Sequence, residues 1–543
     1  MQKNRGADLL ARTLKSAGVE RMFTLSGNHI MPVFDAALEA GIELIHVRHE
    51  AACVHMADAY ARLTGAPGVA MVTGGPGHAN AVAALYTAQM GESPVLLLSG
   101  HAPNDQLGLG AFQEMRQADM AIPVVKAAWT TAHADRLGID VARAMQVARS
   151  GRPGPVNLNL PTDALEATIG SGAVSAAVTH DATATAMPLA DPDAESIMRW
   201  LTAGRRPLVL TGPATMTRSG NDVRSALEAA SGIAVVGMES PRGVNDPALG
   251  AFAQMLAQAD RVLLVGKRVD FTLKFGHGLA SDCEVMQIDA DAAEQARARK
   301  AFGDRLRLVA TADAFSALGA LTHAAAPAAG GWRNDIRDAI AYRPAAWDTA
   351  HASLAGRLHP VEACRPLQAL LDSDPDAVLV SDGGEFGQWA QACLQAPNRI
   401  INGPAGAIGA ALPFALGARV ARPAATIVAL MGDGTFGFHA MEIDTAMRYR
   451  LPFVAVIGND ARWNAEYQIQ LKTYGPERLI GCELAPSRYD LTAASFGAYG
   501  EMIDDAATMA AAVARATAAA LPAVLNVMIE GIPAPVVTRT QPR

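Results

Sequence analysis

A chain of 543 residues is too long for one hydrophobic core and points to roughly three or four domains. Half of the residues are hydrophobic and 18% are charged, which suits a well-buried α/β protein and leaves little room for disorder. The net charge of −8, with no basic stripe, argues against a nucleic-acid partner. Aromatic residues are only 5%, whereas Ala, Gly and Val abound, as in parallel sheets covered by close-packed helices. The cysteines, Cys53, Cys283, Cys364, Cys393 and Cys482, are scattered without a CxxC pair, the usage of a reduced, cytoplasmic protein with buried thiols.

The opening residues 1–18 read as an amphipathic helix rather than a signal peptide, because they lack an apolar h-region. Up to about residue 166, helices over 6–17, 31–40, 51–63 and 80–90 alternate with strands over 22–25, 43–46, 68–73 and 95–98. A proline-bounded strand over 154–161 closes the segment, and the alternation predicts a doubly wound parallel sheet. Residues 167–187, rich in Ala, Thr, Ser and Gly, read as a linker. A second α/β domain over 188–322 has strands over 207–211, 233–236, 261–265 and 285–288. Its turns Gly212-Pro213-Ala214 and Gly266-Lys267-Arg268 are not full GxGxxG motifs, so no dinucleotide site is assigned. After a second linker over 324–331, a third domain covers 345–543, with strands over 377–381, 426–431, 453–457 and 524–529. Within it, residues 400–418 carry no charge, but four glycines and two prolines make them a loop leading into a buried helix rather than a membrane span. The first and third domains share a build, predicting two related sheets around a different one.

Chemistry concentrates in residues 426–468. An apolar strand leads into Gly432-Asp433-Gly434 and Thr435, a helical pattern runs to Tyr449, and a second strand ends in Asn459-Asp460. The unit places oxygen ligands at the carboxyl ends of two strands, the edge where open α/β sheets bind ligands. Glycines let a phosphate approach the backbone, and a helix N-terminus supplies N–H groups to hold it. Asp433 and Asp460, 27 residues apart, are hard ligands of the kind Mg²⁺ takes when it bridges to phosphates. Each motif alone has a plainer reading, since Gly-Asp-Gly is a common turn and Asn-Asp is ordinary strand-end chemistry. The first domain carries a second constellation. Arg48-His49-Glu50 stands at a strand end before a helix, and Thr73-Gly74-Gly75-Pro76-Gly77 forms a Gly-rich turn with His78 and Asn80 close behind. By itself, Glu50 reads as a first-turn carboxylate favoured by the helix dipole.

Together, Arg48-His49-Glu50, Gly75-Pro76-Gly77, Gly432-Asp433-Gly434 and Asn459-Asp460-Ala461 resemble the motifs of the thiamine diphosphate (ThDP)-dependent enzymes, in that family's order and over nearly the whole chain. The nearest branch is the acetolactate synthase-like one, which also holds benzaldehyde lyase, oxalyl-CoA decarboxylase and 2-hydroxyacyl-CoA lyase. The resemblance implies three doubly wound parallel-sheet domains: pyrimidine-binding, middle and diphosphate-binding. It implies that Glu50 hydrogen-bonds the aminopyrimidine ring beside Gly75, Pro76 and Gly77, and that Ile408 wedges under the cofactor. Gly384, Glu385, Phe386, Gly432, Gly434 and Thr435 would surround the diphosphate, while Asp433, Asp460 and the carbonyl of Arg462 would ligate Mg²⁺. Asp460 departs from the usual Asn and adds a negative charge.

On the substrate side, Ala111-Phe112-Gln113-Glu114 looks like the AFQE of acetolactate synthase, with Gln113 reaching the substrate. Ser26-Gly27-Asn28-His29-Ile30 resembles a benzaldehyde lyase loop, which places His29 at the active site. The position of a middle-domain arginine that acetolactate synthases use for the second keto acid holds Thr272. The run 266–276 with Gln287-Ile288-Asp289 is closer to the CoA-dependent lyases. The resemblance implies an enzyme acting on C–C bonds of 2-oxo acids, with a lyase for 2-hydroxyacyl substrates as the alternative. A non-catalytic ThDP-binding protein is the alternative of another class. FAD, often present in acetolactate synthases, has no clear site. The family's sites lie between subunits, so a homodimer or homotetramer is expected, with no membrane partner.

Overall fold

Three parallel sheets follow one another in a computed structural model that describes residues 4–170, 182–328 and 330–539. The first holds β1 (Arg21–Thr24), β2 (Glu43–His46), β3 (Gly68–Val72), β4 (Val95–His101), β5 (Ala127–Thr130) and β6 (Val156–Pro161), in the order β2-β1-β3-β4-β6-β5. The middle sheet holds β7 (Pro207–Thr211), β8 (Val235–Gly237), β9 (Arg261–Val265), β10 (Glu284–Ile288) and β11 (Leu306–Ala310), in the order β11-β10-β9-β7-β8. The third holds β12 (Val378–Ser381), β13 (Asn398–Ile401), β14 (Ile427–Gly432), β15 (Phe453–Asn459), β16 (Tyr499–Ile503) and β17 (Pro522–Met528), in the order β13-β12-β14-β15-β17-β16. The first and third sheets therefore repeat one strand order around a sheet of another order, as their sequences predict.

The chain forms two compact units, Met1–Ala186 and Met187–Arg543, so the middle and third sheets share a unit. Of the predicted linker over 167–187, positions 171–181 lie outside the described residues, as do residues 1–3 of the first amphipathic segment, whose helix runs Gly6–Ser16. The second linker falls between the helices Ala314–Ala324 and Trp332–Ala341, with residue 329 outside the described residues.

The inner strands are short apolar runs because helices cover both faces of each sheet. Every residue of β3, β4, β6, β15 and β17 is buried. The uncharged stretch 400–418 becomes the end of β13, a loop, and a helix over Ala411–Ala421 buried through most of its length. Among the described residues no helix is long and apolar enough to cross a membrane. The helical pattern expected from Thr435 to Tyr449 is two helices, Asp433–His439 and Glu442–Arg448, with a break at residues 440–441.

Two buried histidines make the first unit acid-sensitive. His55, in the helix Glu50–Thr64, is pushed down to about 3 by burial, with Arg62 and His49 adding to the effect. His78, in the helix Pro76–Met90, is pushed down to about 4, again chiefly by burial. Both folded values lie below the unfolded value near 6.5, so the unfolded chain takes up protons first as the pH falls. Stability is full above about pH 6.5 and declines below it, by about 2 kcal/mol per histidine at about pH 5. Amide hydrogen exchange in the two helices is expected to quicken between about pH 7.5 and 5 beyond its intrinsic pH dependence. His55→Gln, which does not charge, is expected to remove part of that change.

Candidate active site

In the first unit the strand order reverses between β1 and β3, so their carboxyl ends flank the point where open α/β sheets bind ligands. His29 follows β1, Glu50 follows β2, and the Gly75-Pro76-Gly77 turn follows β3. The structure brings them together. Glu50 opens its helix and accepts a hydrogen bond on Oε2 from Asn80 Nδ2 at 3.0 Å. Its Oε1 lies against the turn, 3.4 Å from where a Cβ on Gly77 would stand. Thr73 ties the other side of the turn to His29, whose Nδ1 is 3.1 Å from Thr73 Oγ1. His29 is buried, stacks on Phe112 at 6.0 Å, and is shifted down chiefly by burial, which keeps it neutral near pH 7.

Gly75 needs to be glycine for two reasons: its φ is +57°, and a Cβ would meet the Gln113 carbonyl at 2.8 Å. Gln113 itself has a left-handed φ of +56°, a strained state for a residue with a side chain, and its buried Oε1 has no hydrogen-bond partner. Backbone strain and an unsatisfied amide oxygen on one residue are features that cluster where a ligand is handled. Two residues were given no role from sequence. Asn80 fixes Glu50, and Gln117 accepts the Gly75 N–H at 2.8 Å while donating to Gly100 O at 3.1 Å and Asn159 Oδ1 at 2.9 Å. Both are amides a few residues beyond a recognised motif, a pattern too common to assign them one.

The third sheet has its own switch point, between β12 and β14. Asp433 starts the helix after β14, and Asp460 follows β15. Asp433 is 2% exposed, and its Oδ2 has no hydrogen-bond partner. Burial pushes Asp433 up to about 6. Asp460 is pushed up to about 7 by burial and by the charge of Asp433. Ala461 adopts φ +57°, turning the chain so that the Arg462 N–H reaches Asp460 Oδ1 at 3.1 Å. The Trp463 N–H bonds Cys482 and the Ala461 carbonyl takes the Leu484 N–H, so neither flanking bond uses the Arg462 carbonyl. Two desolvated carboxylates beside such a carbonyl suit a divalent cation of the Mg²⁺ type. Among the described residues no group of three or more His, Cys, Asp or Glu side chains is placed to hold a metal, so such an ion would complete its shell from a ligand or water. Gly434 makes room for an aromatic lid, since a Cβ there would lie 2.6 Å from the Trp463 ring.

Gly384 begins the helix Gly384–Cys393 after β12, and the first-turn N–H groups of both helices offer anion-binding donors. Glu385 Oε2 accepts the Ala534 N–H at 2.5 Å, and burial shifts its carboxyl up. The Phe386 ring packs where a Gly458 side chain would be, so the backbone of this residue, not its ring, is available to an anion. Ile408 is half-buried and rests on Gly383, with Cγ2 2.9 Å from a Cβ built there.

The residue that holds Ile408 in place is Asp382. Its buried carboxylate accepts the N–H groups of Gly383 at 2.7 Å, Gly409 at 3.0 Å and Ala411 at 3.0 Å, while burial lifts it to about 6. In the sequence it was one acid beside two glycines, and its partners lie 27 and 29 residues away. Asp382→Asn is expected to speed amide exchange at Gly409 and Ala411 by about ten- to a hundredfold, because bonds to a charged acceptor contribute about 1.5–3 kcal/mol.

At the matching edge of the middle sheet, Lys267 is buried and donates to Thr272 Oγ1 at 2.6 Å, with Asp270 at 3.6 Å. Arg268 lies 3.7 Å from Glu294. Thr272 is thus part of a closed polar cluster under the exposed Phe271 and Phe275.

Two switch-point sites, one with a lone carboxylate beside a Gly-rich turn and one with paired carboxylates just past two strand ends, define a cofactor-binding α/β protein. Residues 4–120 match the family described as thiamine pyrophosphate enzyme, N-terminal TPP binding domain, and residues 382–527 match its C-terminal TPP binding domain. A probable acetolactate synthase of Mycobacterium bovis is 33% identical over 541 residues, covering 96% of this chain and 95% of that protein. 2-Hydroxyacyl-CoA lyase 2 of Bos taurus is 32% identical over 547 residues, covering 92% of this chain and 85% of that protein. The same-named protein of Caenorhabditis elegans is 30% identical over 564 residues, covering 93% and 85%. The chain belongs to the thiamine pyrophosphate enzymes.

Proposed function

We propose that this enzyme uses ThDP and Mg²⁺ to decarboxylate a 2-oxo acid and join the remaining acyl group to a second carbonyl compound, as an acetolactate synthase does. The reading is supported by one chain carrying both Glu50, held by Asn80 beside the Gly75-Pro76-Gly77 turn, and Asp433 and Asp460, two buried carboxylates one of which has an unpartnered oxygen. When bound, ThDP supplies the electron sink that lets a bond beside a carbonyl break or form.

The chain's own groups do the rest. Glu50 would share a proton with the cofactor's ring through Oε1, while Asn80 occupies Oε2. Asp433, Asp460 and the Arg462 carbonyl would hold Mg²⁺, and N–H groups of Gly434, Thr435, Gly384, Glu385 and Phe386 would receive diphosphate oxygens. Gly432, Gly75, Pro76 and Gly77 would let the backbone approach the cofactor, and Ile408, on the platform fixed by Asp382, would pack against it. Gln113 would offer its side-chain N–H₂ to the substrate carbonyl and its unpartnered Oε1 to a substrate hydroxyl, and neutral His29 would donate or accept a proton beside it. The two half-sites lie on separate sheets, and we place complete sites between subunits of a homodimer or homotetramer, with small-molecule substrates.

A second reading, lyase action on a 2-hydroxyacyl-CoA, is favoured by Thr272, which offers no cation for a second keto acid and is engaged by Lys267. Incubating the holoenzyme with pyruvate, and separately with a 2-hydroxyacyl-CoA, separates the readings. Acetolactate from pyruvate is expected. Aldehyde release from the thioester without acetolactate would replace the first reading by the second.

A further inference from the structure

Two of the free cysteines share one hydrophobic cluster. Cys364 lies in the helix Pro360–Asp372 and is fully shielded from solvent. Cys393 ends the helix Gly384–Cys393, is half-buried, and packs against the same cluster. The two helices pack against each other, and the Cys393 thiol and burial together push the Cys364 thiol well above its ordinary value.

Arg343 completes the arrangement. Its Nε donates to the Ala392 carbonyl at 2.6 Å, Nη1 to the Ile340 and Tyr342 carbonyls at 2.8 Å each, and Nη2 to Ala248 O at 3.1 Å. All four acceptors are neutral, and the guanidinium charge acts on Cys393 and Asp246. Of the two thiols only Cys393 is open to solvent, so it is the sulfur that an electrophile in solution meets first. The contrast with Cys283 is plain, since that thiol is buried, is pushed up to about 12, and has no second thiol acting on it.

We propose that Cys393 and Cys364 form an oxidation-sensitive dithiol, which hydrogen peroxide converts into a disulfide joining the two helices. The half-buried Cys393 sulfur attacks one peroxide oxygen and the O–O bond breaks. The thiol proton leaves with the other oxygen as water, and Cys393 becomes a sulfenic acid. The Cys364 sulfur then attacks the sulfenic sulfur, its proton joins the departing hydroxyl as a second water, and the S–S bond forms. Cys364, kept protonated and out of solvent, takes no part until Cys393 has been oxidised. The chemistry does not depend on the assigned reaction, and it acts on the helix whose first turn belongs to the diphosphate half-site.

The test is peptide mapping of the full-length holoenzyme after hydrogen peroxide, with free thiols blocked by iodoacetamide under denaturing conditions. A peptide pair linked through Cys364 and Cys393, released by dithiothreitol, is expected, with Cys53, Cys283 and Cys482 alkylated. In Cys364→Ser, a dimedone adduct on Cys393 is expected in place of the disulfide; in Cys393→Ser, Cys364 stays reduced. Wild-type protein that yields no Cys364–Cys393 link while other thiols oxidise would overturn the proposal, as would oxidation of Cys364 in Cys393→Ser.

Discussion

Replacing Glu50 by Gln lowers kcat by about 10²–10⁴-fold, the range for loss of a positioned proton-transfer group. The substitution keeps the shape of the side chain, and the amide oxygen can still accept from Asn80 Nδ2, now at 3.0 Å from Glu50 Oε2. What is lost is a carboxylate able to share a proton at the Oε1 position, beside Gly77. The helix that Glu50 opens gains its remaining cap from His49, which accepts the Ala51 N–H at 3.1 Å, so folding is expected to survive. ThDP affinity measured by fluorescence quenching should therefore change far less than turnover. Unchanged turnover with ThDP bound would remove Glu50 from the catalytic role.

Asp433→Asn is expected to weaken Mg²⁺-dependent ThDP binding by at least about a hundredfold, since even outer-shell partners of a bound metal contribute ten- to a hundredfold. The Asp433 side chain is buried with one oxygen unpartnered, so the variant presents an amide N–H₂ or a lone neutral oxygen where a cation needs a full negative charge. Asp460→Asn should cost less. It keeps an oxygen at the site and removes the repulsion that, after burial, raises Asp460 toward about 7. Isothermal titration of ThDP with and without Mg²⁺ measures both variants. Equal loss in the two, or ThDP binding by Asp433→Asn that still responds fully to Mg²⁺, would contradict the assignment of Asp433 as the principal ligand.

The fold was legible wherever a strand is buried on both faces. β7 and β9 match their predicted ranges, and β3, β4, β14 and β15 start or end within a few residues of theirs. The strands that left no signal, β5, β11, β13 and β16, all stand at sheet edges. An edge strand needs apolar cover on fewer sides, so Ala127–Thr130 is half-buried throughout, and Tyr499–Ile503, interrupted by Gly500 and Glu501, buries only its last residue. The site followed the same logic. Glu50, the Gly75 turn, Asp433 and Asp460 stood out as candidates because together they resemble the family's motifs, although each alone has a plainer reading as turn or strand-end chemistry. The roles of Asp382, Asn80 and Gln117 were not legible, because each acts on main-chain groups or side chains that the fold, rather than local sequence, delivers.

The two half-sites act as one only if a Glu50 and an Asp433 meet at the same cofactor. Co-expressing Glu50→Gln and Asp433→Asn chains with different tags, and purifying the doubly tagged dimer, puts that to the test. With sites shared between subunits, one of the two sites in the mixed dimer carries both native residues, so about half the wild-type turnover per dimer returns, though each variant alone is inactive. A mixed dimer as inactive as its parents would show that Glu50 and Asp433 of different subunits do not serve one site.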